Sequence, residues 1–148
     1  MIDLSTFKKC TVTRKSLSRW ATDEVLLSLQ QSGSDRGLDG VIVIPERHMK
    51  RLGWITGDRV DVYVKNAEIV IARTPDGELT LCAAKGGGKT KTAGLPIRAR
   101  LKARALAEII SAATSKAGPT SAMAYPSTAI KEQRILLLDC AIPMQQAR

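Results

Sequence analysis

Residues 40–73 read GVIVIPERHMKRLGWITGDRVDVYVKNAEIVIAR, and the fold depends on how this stretch is parsed. The run Val41-Ile42-Val43-Ile44 is apolar and β-branched, and Pro45 stops it. Such side chains suit a pleated, half-buried surface, so the run predicts a strand. Glu46 to Leu52 predicts one or two turns of helix with basic residues at Arg47, Lys50 and Arg51. Gly53 suits the left-handed residue that closes a helix. Gly57-Asp58 suits a turn that needs positive φ. Val60, Val62 and Val64 alternate with Asp61 and Tyr63, which assigns the valines to one face of a strand. Asn66 marks a turn, and Ile69-Val70-Ile71 predicts the strand that completes a hairpin.

Outward from this stretch, the chain has 148 residues, enough for one domain or a small domain with tails. Apolar residues make up 44% but aromatics only 3%, so a core must be built from Val, Ile, Leu and Ala. Residues 1–23 read as a basic arm, with Thr11-Val12-Thr13 able to pair as a short edge strand. Glu24 to Gln31 reads as a strand with Leu26 or Leu27 inward; helix competes, because Leu, Gln and Glu are good helix formers. Ser32 to Gly40 is a loop or hairpin tip. Thr74-Pro75-Asp76-Gly77 is a reverse turn, and Glu78 to Cys82 reads as one more strand. Residues 83–96 form a Gly/Lys linker. Ile97, Leu101, Ala105, Ile109 and Ala113 recur at helical spacing, and Gly118-Pro119 supplies a stop. Arg98, Arg100, Lys102 and Arg104 also alternate with apolar residues, so a strand is the alternative for the first turns. Thr120 to Thr128 reads as a loop and Arg134 to Ala141 as a closing strand.

The 40–73 stretch resembles the AbrB/MazE/SpoVT family of swapped-hairpin proteins. The matching features are Ile44-Pro45, Leu52-Gly53 and Gly57-Asp58-Arg59-Val60, in that order and at that spacing. The resemblance implies interleaved hairpins in a homodimer that binds DNA as a transcriptional regulator or an antitoxin. With the linear reading, it predicts an α+β, β-rich fold. Its parts are a small swapped-hairpin-type β-barrel core at 24–82 with a short helix after Pro45, the basic arm, and a C-terminal helix and closing strand at 97–148. Family members carry arginines just before the first strand and within the short helix. Here the first position is Val41, and the helical positions are Met49 and Lys50, flanked by Arg47 and Arg51.

Charge points to the same partner. The formal net charge is +9, and from Leu79 to Ala107 there are seven basic residues and no acidic one. Cationic side chains gain affinity for phosphates by releasing condensed counterions. The candidate nucleic-acid-binding residues are therefore Arg47, Lys50, Arg51, Lys85, Lys89, Lys91, Arg98, Arg100, Lys102 and Arg104. Duplex DNA is favoured over single strands, since few aromatics are available for base stacking.

Catalytic patterns are weak. Gly88-Lys89-Thr90 resembles the end of a phosphate-binding loop, but the required earlier glycine is Ala83. His48, the single histidine, reads as an exposed helix residue without a nucleophile nearby in sequence. Neither a cofactor nor a metal is implied. Cys10, Cys82 and Cys140 are widely spaced, which suggests reduced thiols in the cytoplasm. The first residues lack a signal-peptide core, and no run approaches the ~20 apolar residues of a membrane span. The sequence thus predicts a non-enzymatic, cytoplasmic, homodimeric DNA-binding regulator. The alternative is a protein-binding inhibitor or adaptor acting on nucleic-acid machinery, such as a phage- or plasmid-borne factor.

Overall fold

A computed structural model describes residues 24–32, 37–83 and 98–144. The fold is α+β and strand-rich. The elements in order are β1 (Val25–Ser32), β2 (Gly37–Ile44), α1 (Glu46–Leu52), β3 (Arg59–Lys65), β4 (Glu68–Arg73), β5 (Leu79–Thr80) and β6 (Cys82–Ala83). There follow β7 (Ala99–Ala103), α2 (Arg104–Thr114), β8 (Met123–Tyr125), β9 (Ser127–Ile130), a 3-10 turn (Lys131–Gln133) and β10 (Ile135–Asp139). They build two antiparallel sheets, β6-β7-β2-β1-β8 and β5-β3-β4-β10-β9.

Period-2 alternation decides which side chains form the core. Leu27, Leu29, Ile42, Ile44 and Leu101 of the first sheet are buried. They form one cluster with Val60, Ile69, Ile71, Leu136 and Leu138 of the second sheet and with Leu106 and Ile110 of α2. The local signals read above hold. Gly53 closes α1 at φ 68° and Asn66 turns the β3–β4 hairpin at φ 54°. Thr74 and Gly77 close a turn through Gly77 N–H to Thr74 O at 3.1 Å. Of the three aligned valines, Val60 is fully buried, Val62 packs against the core, and Val64 runs out to solvent.

The strand order has a symmetry that the sequence does not display. In the first sheet β2-β1 is met by β7-β6, and in the second β3-β4 is met by β10-β9. Both seams are antiparallel, with Ile42 opposite Leu101 and Ile71 opposite Leu136. The succession β1-β2-α1-β3-β4 is thus followed, in the second half, by β6-β7-α2-β9-β10, with β5 and β8 added at the edges.

Several expectations are corrected. The expected small barrel is instead two open sheets, since each ends in a short edge strand. Strand edges on β2 and β3, expected to meet a second chain, are filled by β1 and β7 and by β4 and β5 of the same chain. The helix expected from Ile97 begins only at Arg104. Before it, alternation wins: Ala99 and Leu101 are buried against Ile44 and Ile42, and the ladder with β2 satisfies the backbone. Helical period takes over at Leu106, Ala107, Ile110 and Ala113. The helix stops at Thr114, ahead of Gly118-Pro119, with Ser115 left-handed at φ 59°. The strand expected over Glu78 to Cys82 is broken at buried Leu81, whose N–H donates to Asp58 O while β5 and β6 join different sheets. Thr120 to Thr128 is not all loop, because β8 pairs with β1 there and β9 begins at Ser127. The closing strand β10 lies inside its sheet, between β4 and β9. Residues 1–23, including the Thr11-Val12-Thr13 segment, and most of the 83–96 linker lie outside the described residues.

Candidate nucleic-acid interface

The short helix α1 is set by its ends. Pro45 is extended, and its carbonyl accepts the N–H groups of His48 and Met49 at 3.2 Å each. Gly53 N–H reaches Lys50 O, and Trp54 N–H reaches Met49 O, a closure that ties off the last carbonyls. His48, Met49 and Leu52 then form the buried stripe. The opposite face carries Arg47, Lys50 and Arg51 to solvent. Lys50, 77% exposed at its side chain, pairs with Glu46 one turn back at 3.1 Å, and Arg47 pairs with Glu24 at 3.3 Å. Surface ion pairs of this kind contribute little to stability.

The three α1 cations are therefore brought together. A second group lies on β7, where Arg100 and Lys102 face away from buried Ala99 and Leu101. Ala99 is opposite Ile44, so Arg98 and Arg100 stand at the end of β2 from which α1 departs. Lys102 and Arg104 lie towards the far end, with the Arg104 guanidinium over the backbone of Gly37. Lys85, Lys89 and Lys91 fall outside the described residues.

His48, expected on the exposed helix face, is instead turned inward. It is 3% exposed, and its Nε2 lies 2.7 Å from Ser127 Oγ of β9. Burial, then the Arg47 and Arg51 guanidiniums, push the imidazole down to about 4. The ring is therefore neutral at pH 7. It is also a weak base, because a proton on it would face two nearby cations. A serine beside such a histidine gains little activation as a nucleophile. Arg47, His48, Arg51, Ser127, Thr128 and Ala129 line a cleft of about 360 Å³ between α1 and edge strand β9.

Among the described residues, no group of three or more His, Cys, Asp or Glu side chains is placed to hold a metal ion. Burial and neighbouring Asp139 push the Cys140 thiol up to about 12, and Cys82 is a free, exposed thiol. No described helix is long and apolar enough to cross a membrane. Comparison with protein-family models, with curated proteins and with solved structures gave no match.

Proposed function

We propose that this chain is a non-enzymatic duplex-DNA-binding protein of regulatory type that uses the exposed face of α1 to reach DNA. The observation that carries this reading is the grouping of Arg47, Lys50 and Arg51 on one solvent-facing side of a helix anchored by His48, Met49 and Leu52. Arg100 and Lys102 on β7 add cations that position the duplex without reading its sequence. The weak basicity of His48, and the lack of a further acid–base group among the described residues that line the cleft, favour binding over catalysis. In this reading the site of action is the cytoplasm, where thiols such as Cys82 and Cys140 stay reduced.

The interleaved hairpins that the resemblance implies for two chains are, in this account, supplied by two halves of one chain. The palindromic strand order and the two antiparallel seams support that assignment. The functional unit is then a monomer of 16.0 kDa, and a homodimer is not required to complete the sheets. Because the halves differ in sequence, the DNA site read by α1 is asymmetric. The test is duplex selection from a random pool. Arg47→Gln, Lys50→Gln and Arg51→Gln together should change the selected sequences, since helix side chains can reach base edges. Arg100→Gln with Lys102→Gln should weaken all duplexes alike. Unchanged preference in the first variant would remove α1 as the reading element.

The second reading, an inhibitor or adaptor that binds a protein, is favoured by the outer face of the second sheet. There Tyr63, 56% exposed, stands opposite Val70, and Val70 opposite half-buried Leu137. Wild-type protein without duplex affinity would make this the leading account.

A further inference from the structure

A polar contact ties the short helix of the first half to a strand of the second. The buried face of α1 carries two apolar side chains, Met49 and Leu52, and one polar one, His48. Met49 and Leu52 join the core cluster. Apolar contacts are non-directional, so they hold a helix down without fixing its rotation about its own axis. A hydrogen bond does fix it, because its strength falls steeply with distance and angle. His48 Nε2 meets Ser127 Oγ at 2.7 Å. Side chains alternate along β9. Ser127 is opposite buried Leu138, and Leu138 is opposite buried Ile69, so the Ser127 hydroxyl stands on the inner face of the sheet and Thr128 on the outer. The strand ladder thus fixes the hydroxyl, and α1 packs against that same strand.

The helix needs such a tie. Its seven residues make fewer than two turns, too few to hold a helical shape in water, and Pro45 gives it no side-chain cap. The Arg47–Glu24 ion pair is exposed and contributes little to the pose. Arg47 precedes His48 and Arg51 follows it by three residues, so a rotation of α1 that moves the imidazole moves both cations. At a side-chain radius of about 5–6 Å, a rotation of ~20° shifts a side chain by about 2 Å. Recognition constellations tolerate about 0.5 Å. We propose that Ser127 is a positioning residue: its bond to His48 fixes the rotation of α1, and with it the base edges that the α1 cations reach. This rests on the nucleic-acid reading and deepens it, because it gives the second half of the chain a share in the specificity of the first half's helix.

The test uses the full chain and two duplexes of equal length, one that the wild type selects from a random pool and a scrambled one. Fluorescence anisotropy gives the ratio of the two affinities and the salt slope. Ser127→Ala should lower the ratio about ten-fold, the scale of one lost base contact. It should leave the salt slope unchanged, because every cation remains. Ser127→Thr keeps the hydroxyl on a side chain that suits a strand and should restore the ratio. Ile71→Val, which lowers stability in the second-sheet core, should leave the ratio as it is. Amide exchange at Gly53 and Trp54, whose N–H groups close α1, should quicken in Ser127→Ala. Unchanged exchange there would overturn the tie. An unchanged ratio in Ser127→Ala, no restoration in Ser127→Thr, or an equal fall in Ile71→Val would overturn the positioning role while leaving the DNA reading intact. Wild-type protein without duplex affinity would remove the DNA reading and this role with it.

Discussion

The two halves of the molecule occupy matching places in the sheets but use their helices in opposite ways. In the first half α1 has seven residues, buries only His48, Met49 and Leu52, and turns three cations outward. In the second half α2 has eleven residues and buries Leu106, Ala107, Ile110 and Ala113. Its backbone presses on β2 so closely that a Cβ at Gly40 would stand 2.4 Å from the carbonyl carbon of Leu106. The same position between strands thus turns cations to solvent in one half and packs the core in the other. A scaffold built twice within one chain can give up one of its faces to stability.

The comparison breaks most completely at the first-sheet seam. Ile44 is fully buried opposite Ala99, where the halves meet. Ile44→Asp buries an unpaired carboxylate and should cost several kcal/mol, at least ~4, leaving the chain unfolded. A cooperative thermal transition near that of the wild type would place the seam elsewhere.

The next effect tests the α1 side. His48 sits near 4 in the folded chain, against its ordinary 6.5. As pH falls below about 6.5 the unfolded chain takes up this proton while the folded chain does not. Stability therefore drops between about pH 6.5 and 4, by on the order of 3 kcal/mol in all, and this contribution is constant below 4. Denaturant melts across that window should show the slope, and His48→Gln should remove its share. An identical slope in the variant would mean that the imidazole is not held neutral by its site.

A smaller effect tests the α2 side. Gly40→Ala forces α2 away from β2 and should cost about 1–3 kcal/mol by overpacking. Gly53→Ala, at a left-handed position with open space around it, should cost only about 1 kcal/mol. Equal costs in equilibrium melts would show that α2 yields without strain.

The first half is the half that could be read from sequence, and the reason is physical. Its turns rest on residues whose φ is locally constrained, Gly53, Gly57 and Asn66, and its strands carry uninterrupted β-branched runs. The second half mixes periods within a few residues. Arg98 to Arg104 alternates, and the helical period starts before the alternation ends, so alanine-rich residues 99–113 fit either pattern. Leu81 hides a change of sheet inside what reads as a single strand. β8 and β9 are too short and too rich in Ser and Thr to stand out from loop. In the site, the cations on α1 were legible from helical spacing. The inward turn of His48 could have been seen from its place beside Met49 and Leu52, on one stripe. Its partner Ser127 could not, because 79 residues separate them and only the meeting of α1 with β9 joins them.

Duplex binding measured by fluorescence anisotropy over a range of salt concentrations tests the central claim most directly. The account predicts affinity at low salt that falls as salt rises, with each phosphate contact adding about 0.9 to the slope. Arg47→Gln, Lys50→Gln and Arg51→Gln together should reduce the slope by roughly 2.7, three contacts' worth. No affinity for duplex at low salt, or a slope unchanged in this variant, would contradict it.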